Sequence, residues 1–120
     1  MGSGRHFHHA QLPNESALLA GRMPSNEIAF RSDSLQVWFN ETKAGWEDNR
    51  PHFHTSSDEM FVVLDGTVVV EVDGRRVTVR AGEFCCFPAG LAHRIVSTEP
   101  PLRTLMIRAP SVDDKVYTEA

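Results

Sequence analysis

His52 and His54 stand two residues apart in the stretch RPHFHTSSDEMF, and Glu59 follows five residues after His54. Imidazoles and carboxylates are among the side chains that bind divalent transition metals. In an extended segment, residues i and i+2 share a face. His52 and His54 therefore project together from an extended 51–54, while Phe53 turns the other way into apolar packing. Thr55, Ser56 and Ser57 suit a turn, and a strand over 59–64 returns with Glu59 at its mouth. Two imidazoles and a carboxylate can then lie around one point, with Phe61 and Val63 following on the face of Glu59. The bland reading is polar residues on a wet edge strand. His93 is a fourth candidate, because the turn Pro88-Ala89-Gly90 delivers it to the start of a strand whose face it shares with Ile95 and Ser97. Spacing alone does not bring His93 to His52; the fold must do so.

The elements that would position these groups read as strands. Short runs of strand formers occur at 27–31, 35–39, 59–64, 67–72, 76–80, 83–87, 92–97 and 102–108. Asp65-Gly66, Asp73-Gly74 and Ala81-Gly82 separate four of them and predict tight turns with positive φ. Glu99-Pro100-Pro101 closes the strand before 102–108. Val77 and Val79 share one side of their strand, whereas TVVVEV over 67–72 is apolar on both faces, as a central or covered strand would be. No segment of ten or more residues carries a convincing helical period. The stretch ESALLAG is compatible with one helical turn in an N-terminal arm. The expected class is all-β, a sandwich or barrel. The expected organisation is an arm over 1–25, a barrel over 26–110 and a C-terminal tail over 111–120, with residues 1–4 resembling a non-native leader.

The two histidine segments resemble the paired motifs of the cupin superfamily, the small jelly-roll barrels. Gly45, His52, His54, Glu59 and Gly66 follow the first motif, and Gly82, Pro88, Gly90 and His93 follow the second. Two departures occur: six residues rather than five separate Gly45 from His52, and Ser97 stands where asparagine is common. Neither is a ligand position. The resemblance implies a jelly-roll β-barrel in which His52, His54, Glu59 and His93 bind one metal ion, and a homodimer, with which the two-faced strand 67–72 is compatible. Fe, Mn, Ni, Cu and Zn all suit imidazole-rich ligation. The absence of a thiolate from the four argues against a closed structural zinc site. Four protein ligands leave an octahedral ion about two positions for water, dioxygen or substrate. The expected activity is an oxidoreductase of dioxygenase type acting on a small organic molecule. The alternatives are a metal-dependent isomerase, epimerase or lyase, and a non-catalytic small-molecule binder.

Other residues have weaker claims. Arg50 and Arg94 could pair a substrate carboxylate or phosphate, although Arg94 should point away from the face of His93. Trp38, Trp46, Phe84, Phe87 and Met106 are core or pocket residues, and Gln36 and Thr104 could lie near the site. His6, His8 and His9 read as solvent-exposed. The single tyrosine, Tyr117, lies near the C-terminus, which leaves a buried tyrosine acid or base poorly supported. Cys85 and Cys86 are adjacent and unsuited to an unstrained mutual disulfide, consistent with a cytoplasmic protein.

The bulk numbers bound the answer. A chain of 120 residues makes one domain with a core of its own. Twelve basic and 16 acidic residues give a net charge of -4, which disfavours non-specific nucleic-acid binding. No apolar run reaches membrane-spanning length, and the N-terminus lacks the apolar stretch of a secretory signal.

Overall fold

A computed structural model describes residues 7–22, 26–45 and 50–118. His6, Trp46 and residues 1–4 lie outside the described residues. Among the described residues nine strands follow in order: β1 (Ala17–Gly21), β2 (Phe30–Arg31), β3 (Gln36–Thr42), β4 (His52–His54), β5 (Asp58–Val72), β6 (Arg75–Arg80), β7 (Phe84–Phe87), β8 (His93–Ala109) and β9 (Lys115–Tyr117). The architecture is all-β, a single-domain jelly roll.

Two long antiparallel strands organise it. β5 and β8 pair from Asp58↔Ala109 to Val72↔His93. The first half of β5 also pairs with β7, and its second half with β6. The second half of β8 also pairs with β3, which carries β1 and then β2 outward. The start of β8 meets β4 at His52↔His93, and β4 is covered on its other edge by β9. The sheet thus folds back on itself, with inward side chains alternating along each strand. Val63, Val68, Val70, Val79, Phe87, Ile95 and Leu102 form the buried core. Phe39 is fully buried and Leu18 nearly so.

Three local expectations need correction. ALLAG is strand β1, not a helical turn. Leu18 and Ala20 bury alternately, and a single helical turn has too few hydrogen bonds to compete with pairing to β3. Asp65-Gly66 is no hairpin turn, because β5 continues through it as one bent strand, with register shifts between Val63 and Thr67. Glu99-Pro100-Pro101 likewise lies inside β8 rather than closing a strand. Asp73-Gly74 is the tight turn predicted, with φ of 52° and 73°. Gly82 and Gly90 also have positive φ, at 86° and 87°.

Candidate metal centre

His52 and His54 project from one face of β4, as i and i+2 residues must, and are 7% and 2% exposed. Glu59 sits near the start of β5 and His93 opens β8, at 3% and 2% exposure. The four offer one potential ligand atom each, all within 4.8 Å of one another. The fold therefore brings together all four residues singled out in the sequence. His93 reaches His52 because β4 and β8 pair at those two residues, with ring centroids 4.5 Å apart. Phe87 stacks on the His93 ring at 3.8 Å and 4°, which fixes its plane.

The hydrogen bonds define what the donor set can accept. His93 Nδ1 lies 3.0 Å from the Leu91 carbonyl, which can only accept, so Nδ1 carries the proton. Its Nε2 faces Glu59 Oε1 at 2.9 Å. His54 Nδ1 lies 3.1 Å from Asp114 Oδ1, and its Nε2 faces Glu59 Oε2 at 3.4 Å without forming a hydrogen bond. Burial alone would raise the pKa of Glu59. Its bond to His93, the charges of His54 and His93 and the bond from Arg108 outweigh that and hold it down to about 2. Burial lowers the pKa of His54. Glu59 is therefore an anion facing imidazole nitrogens whose outer nitrogens already donate. A cation at that point satisfies the set, so the residues present fit a divalent metal ion.

These shifts predict acid sensitivity of the metal-free protein. The pKa of His54 is lower in the folded state than the ordinary 6.5, so below 6.5 the unfolded chain takes up a proton that the folded chain resists. Glu59 adds stability that is present above 4.5 and lost as pH falls toward about 2. Asp114 is shifted in the same direction: burial opposes its ionisation, but bonds from Ser56, Ser57 and His54 outweigh it. Thermal melts of metal-free protein should show a plateau above neutrality and a falling melting temperature below it, steepest in the acid range. A melting temperature that rises between pH 6.5 and 4.5 would contradict this origin.

Asp114 and Arg108 were not anticipated. Asp114 accepts bonds from Ser56 N at 2.9 Å, Ser57 N at 2.8 Å and Ser57 Oγ at 2.9 Å, besides the contact with His54. It is held there by β9, whose Lys115 pairs with His54 and Tyr117 with His52. The alternation in Lys115-Val116-Tyr117, just after two aspartates, was the available signal for a strand. Arg108 Nη2 donates to Glu59 Oε2 at 3.1 Å, directly across the β5–β8 ladder. Arg108 follows Thr104 and Met106 at i+2 spacing, and all three line a cavity of about 330 Å³ that reaches His52 and Glu59.

The remaining candidates divide. Thr104 and Met106 line this cavity, whereas Gln36 and Trp38 line a separate depression near β1. Phe87 is core, and Phe84 is 65% exposed. Arg94 bonds Glu71 at 2.9 Å, away from the site as expected. Arg50 lies over the Tyr117 ring at 4.2 Å. His8 and His9 are exposed. Burial pushes the Cys85 thiol up to about 11, which makes it a poor nucleophile.

Comparison with known proteins agrees with this architecture. The cupin domain family matches residues 39–108. A protein of Aquifex aeolicus (strain VF5), itself uncharacterized, is 31% identical over 65 residues, 54% of this chain and 54% of its own. The chain thus spans about half the length of that curated relative. Among solved structures, KdgF from Halomonas sp. superposes with a TM-score of 0.66 at 20% identity, covering 88% of this chain and 89% of that one. A Streptomyces PAC13 variant with uridine gives 0.67 at 13% identity, covering 95% and 93%; Pac13 is described as a nucleoside dehydratase. The DMSP lyase DddQ from Ruegeria pomeroyi gives 0.62 at 20% identity, covering 86% of this chain and 50% of that one. At these identities the structures speak to fold alone. With more than half of its length matched by the family, the chain belongs to the cupins.

Proposed function

We propose that His52, His54, Glu59 and His93 hold one divalent transition metal ion, and that the protein is a metal-dependent oxidoreductase of dioxygenase type acting on a small organic molecule. The observation that carries this reading is the buried donor set itself, an ionised carboxylate facing two imidazoles with a third imidazole alongside. Three neutral imidazoles and one carboxylate would leave the ion near +1, with positions for small ligands. When bound, the metal supplies Lewis-acid or redox chemistry. The chain's own residues do the rest. Asp114 and the Leu91 carbonyl keep the protons of His54 and His93 on Nδ1, which leaves each Nε2 lone pair for the centre. Phe61, Val68, Ile95 and Leu102 wall the adjoining cavity with apolar surface that limits water.

Anaerobic reconstitution with Fe(II), Mn(II), Ni(II) and Cu(II), followed by oxygen-uptake assays on a metabolite panel, tests the reading. Substrate-dependent uptake with at least one metal is expected, and no uptake with any of them would sink it. A lyase or isomerase is the second reading. Lys115 lines the cavity, and the Tyr117 ring lies 6.0 Å from that of His52, so proton-transfer groups exist beside the ligands. Substrate loss without oxygen uptake in zinc-loaded protein would favour it.

Asp114 gives a separate test. Asp114→Asn keeps an acceptor but removes the charge that orients His54, and metal affinity should fall by about 10- to 100-fold. Competition with a chromophoric chelator measures this; unchanged affinity would show that the Asp114–His54 contact does not tune the site.

A further inference from the structure

We infer that the cavity beside the metal centre takes a small organic acid, whose carboxylate is held by Arg108 and Lys115 while its apolar body lies against Val68, Ile95 and Leu102. The identity of that acid as substrate rests on the function proposed above; the anion pocket rests on Arg108.

The Arg108 side chain is only 12% exposed, yet its guanidinium is not fully used. Nη2 reaches Glu59 Oε2, while Nε is buried without a hydrogen-bond partner. Buried donors without acceptors are rare in folded proteins, and this one belongs to a side chain that lines a cavity. Glu59 cannot be its dedicated counterion, because the same carboxylate faces His93 and His54. Lys115 brings a second cation to the cavity lining. The cavity wall thus carries two cationic side chains, Arg108 beside the already shared Glu59 and Lys115 with its Nζ 5.0 Å over the Tyr117 ring.

The planar fork of arginine matches a carboxylate in two parallel hydrogen bonds. A monoanion is favoured over a phosphate dianion because the bound group must sit close to the charge of Glu59, where each added negative charge is repelled. Val68, Ile95 and Leu102 favour hydrocarbon against them, with Asn40, Thr42 and Thr104 as the uncharged polar part of the lining. At about 330 Å³ the cavity is at the small end for an organic ligand.

Isothermal titration of the zinc-loaded protein with phenylacetate and with its neutral isostere phenylacetamide tests the inference, with zinc content measured on the same samples. The acid should bind about tenfold or more tighter than the amide, as expected for charge-assisted hydrogen bonds. That preference should collapse in Arg108→Gln and shrink in Lys115→Met, with zinc content retained. Equal binding of acid and amide by the wild-type protein would overturn the inference, as would an undiminished preference in both variants. Displacement of phenylacetate by millimolar inorganic phosphate would overturn the choice of carboxylate. Acid preference in a protein that holds no zinc would support the anion pocket while sinking the metal reading.

Discussion

Alanine at His52, His54 or His93 should strip the protein of its metal, with affinity reduced by about 100-fold or more for each single change. That bound is set by the 10- to 100-fold cost of disturbing groups that merely orient ligands, since removing a ligand removes more. Elemental analysis of protein purified without chelator or nickel resin, followed by chelator competition, gives both occupancy and affinity. Glu59→Gln should weaken binding less than loss of a histidine, because an amide oxygen remains. In the metal-free fold Arg108 donates to Glu59 Oε2 while His93 Nε2 faces Oε1, so Glu59→Gln keeps an acceptor for Arg108 and turns an amide NH2 toward the His93 Nε2 lone pair. His93→Ala also deletes the ring stacked on Phe87, so metal content must be read on the folded fraction. His9→Ala, at an exposed position, is the control. Full metal retention in all three histidine variants would refute the assignment.

The convergence of these residues was legible because each is placed by short-range geometry. His52 and His54 share a face through strand alternation, and Glu59 follows after a turn of small polar residues. His93 was legible only through the second motif, since its meeting with His52 depends on β4 pairing with the start of β8. Asp114 and Arg108 were not legible for the same reason. Asp114 lies 60 residues from His54 in sequence and meets it only because β9 covers the edge of β4. Arg108 lies 49 residues from Glu59 and faces it through the register of the β5–β8 ladder. Arg50 and Arg94 stand out in the sequence instead because they are neighbours of the candidate ligand histidines, where alternation turns Arg94 away. Local pattern names the residues on a strand; the register between distant strands decides which of them meet.

The strand boundaries show the complementary limit. Asp65-Gly66 and Asp73-Gly74 are the same dipeptide between similar apolar runs, yet the first bends a continuous strand and the second closes a hairpin. What separates them is not local. Asp73 and Gly74 both have positive φ and reverse the chain, whereas Gly66 alone, at φ +88°, lies against the backbone of β8. A glycine inside a strand often marks such a bulge or close approach.

Gly66→Ala should therefore be among the most damaging single substitutions outside the core, costing about 3 kcal/mol or more. A Cβ there would stand 2.6 Å from the Pro101 carbonyl oxygen and 2.8 Å from that of Glu99, both backbone atoms that cannot swing aside. Positive φ adds its own penalty for any side chain. Gly74→Ala isolates that penalty, because its φ is +73° and nothing lies within 4 Å of the added atom; it should cost about 1 kcal/mol. Urea denaturation of the two variants gives the difference, and Gly66→Ala no worse than Gly74→Ala would show that β8 yields at this point. The consequence reaches the candidate metal centre. Glu59 lies on the half of β5 before Gly66, and His93 pairs with Val72 at the far end of the other half. The 2.9 Å approach of Glu59 to His93 therefore depends on the angle between those halves. A variant that folds by opening the bend should lose metal affinity as well as stability, whereas Gly74→Ala should lose only stability.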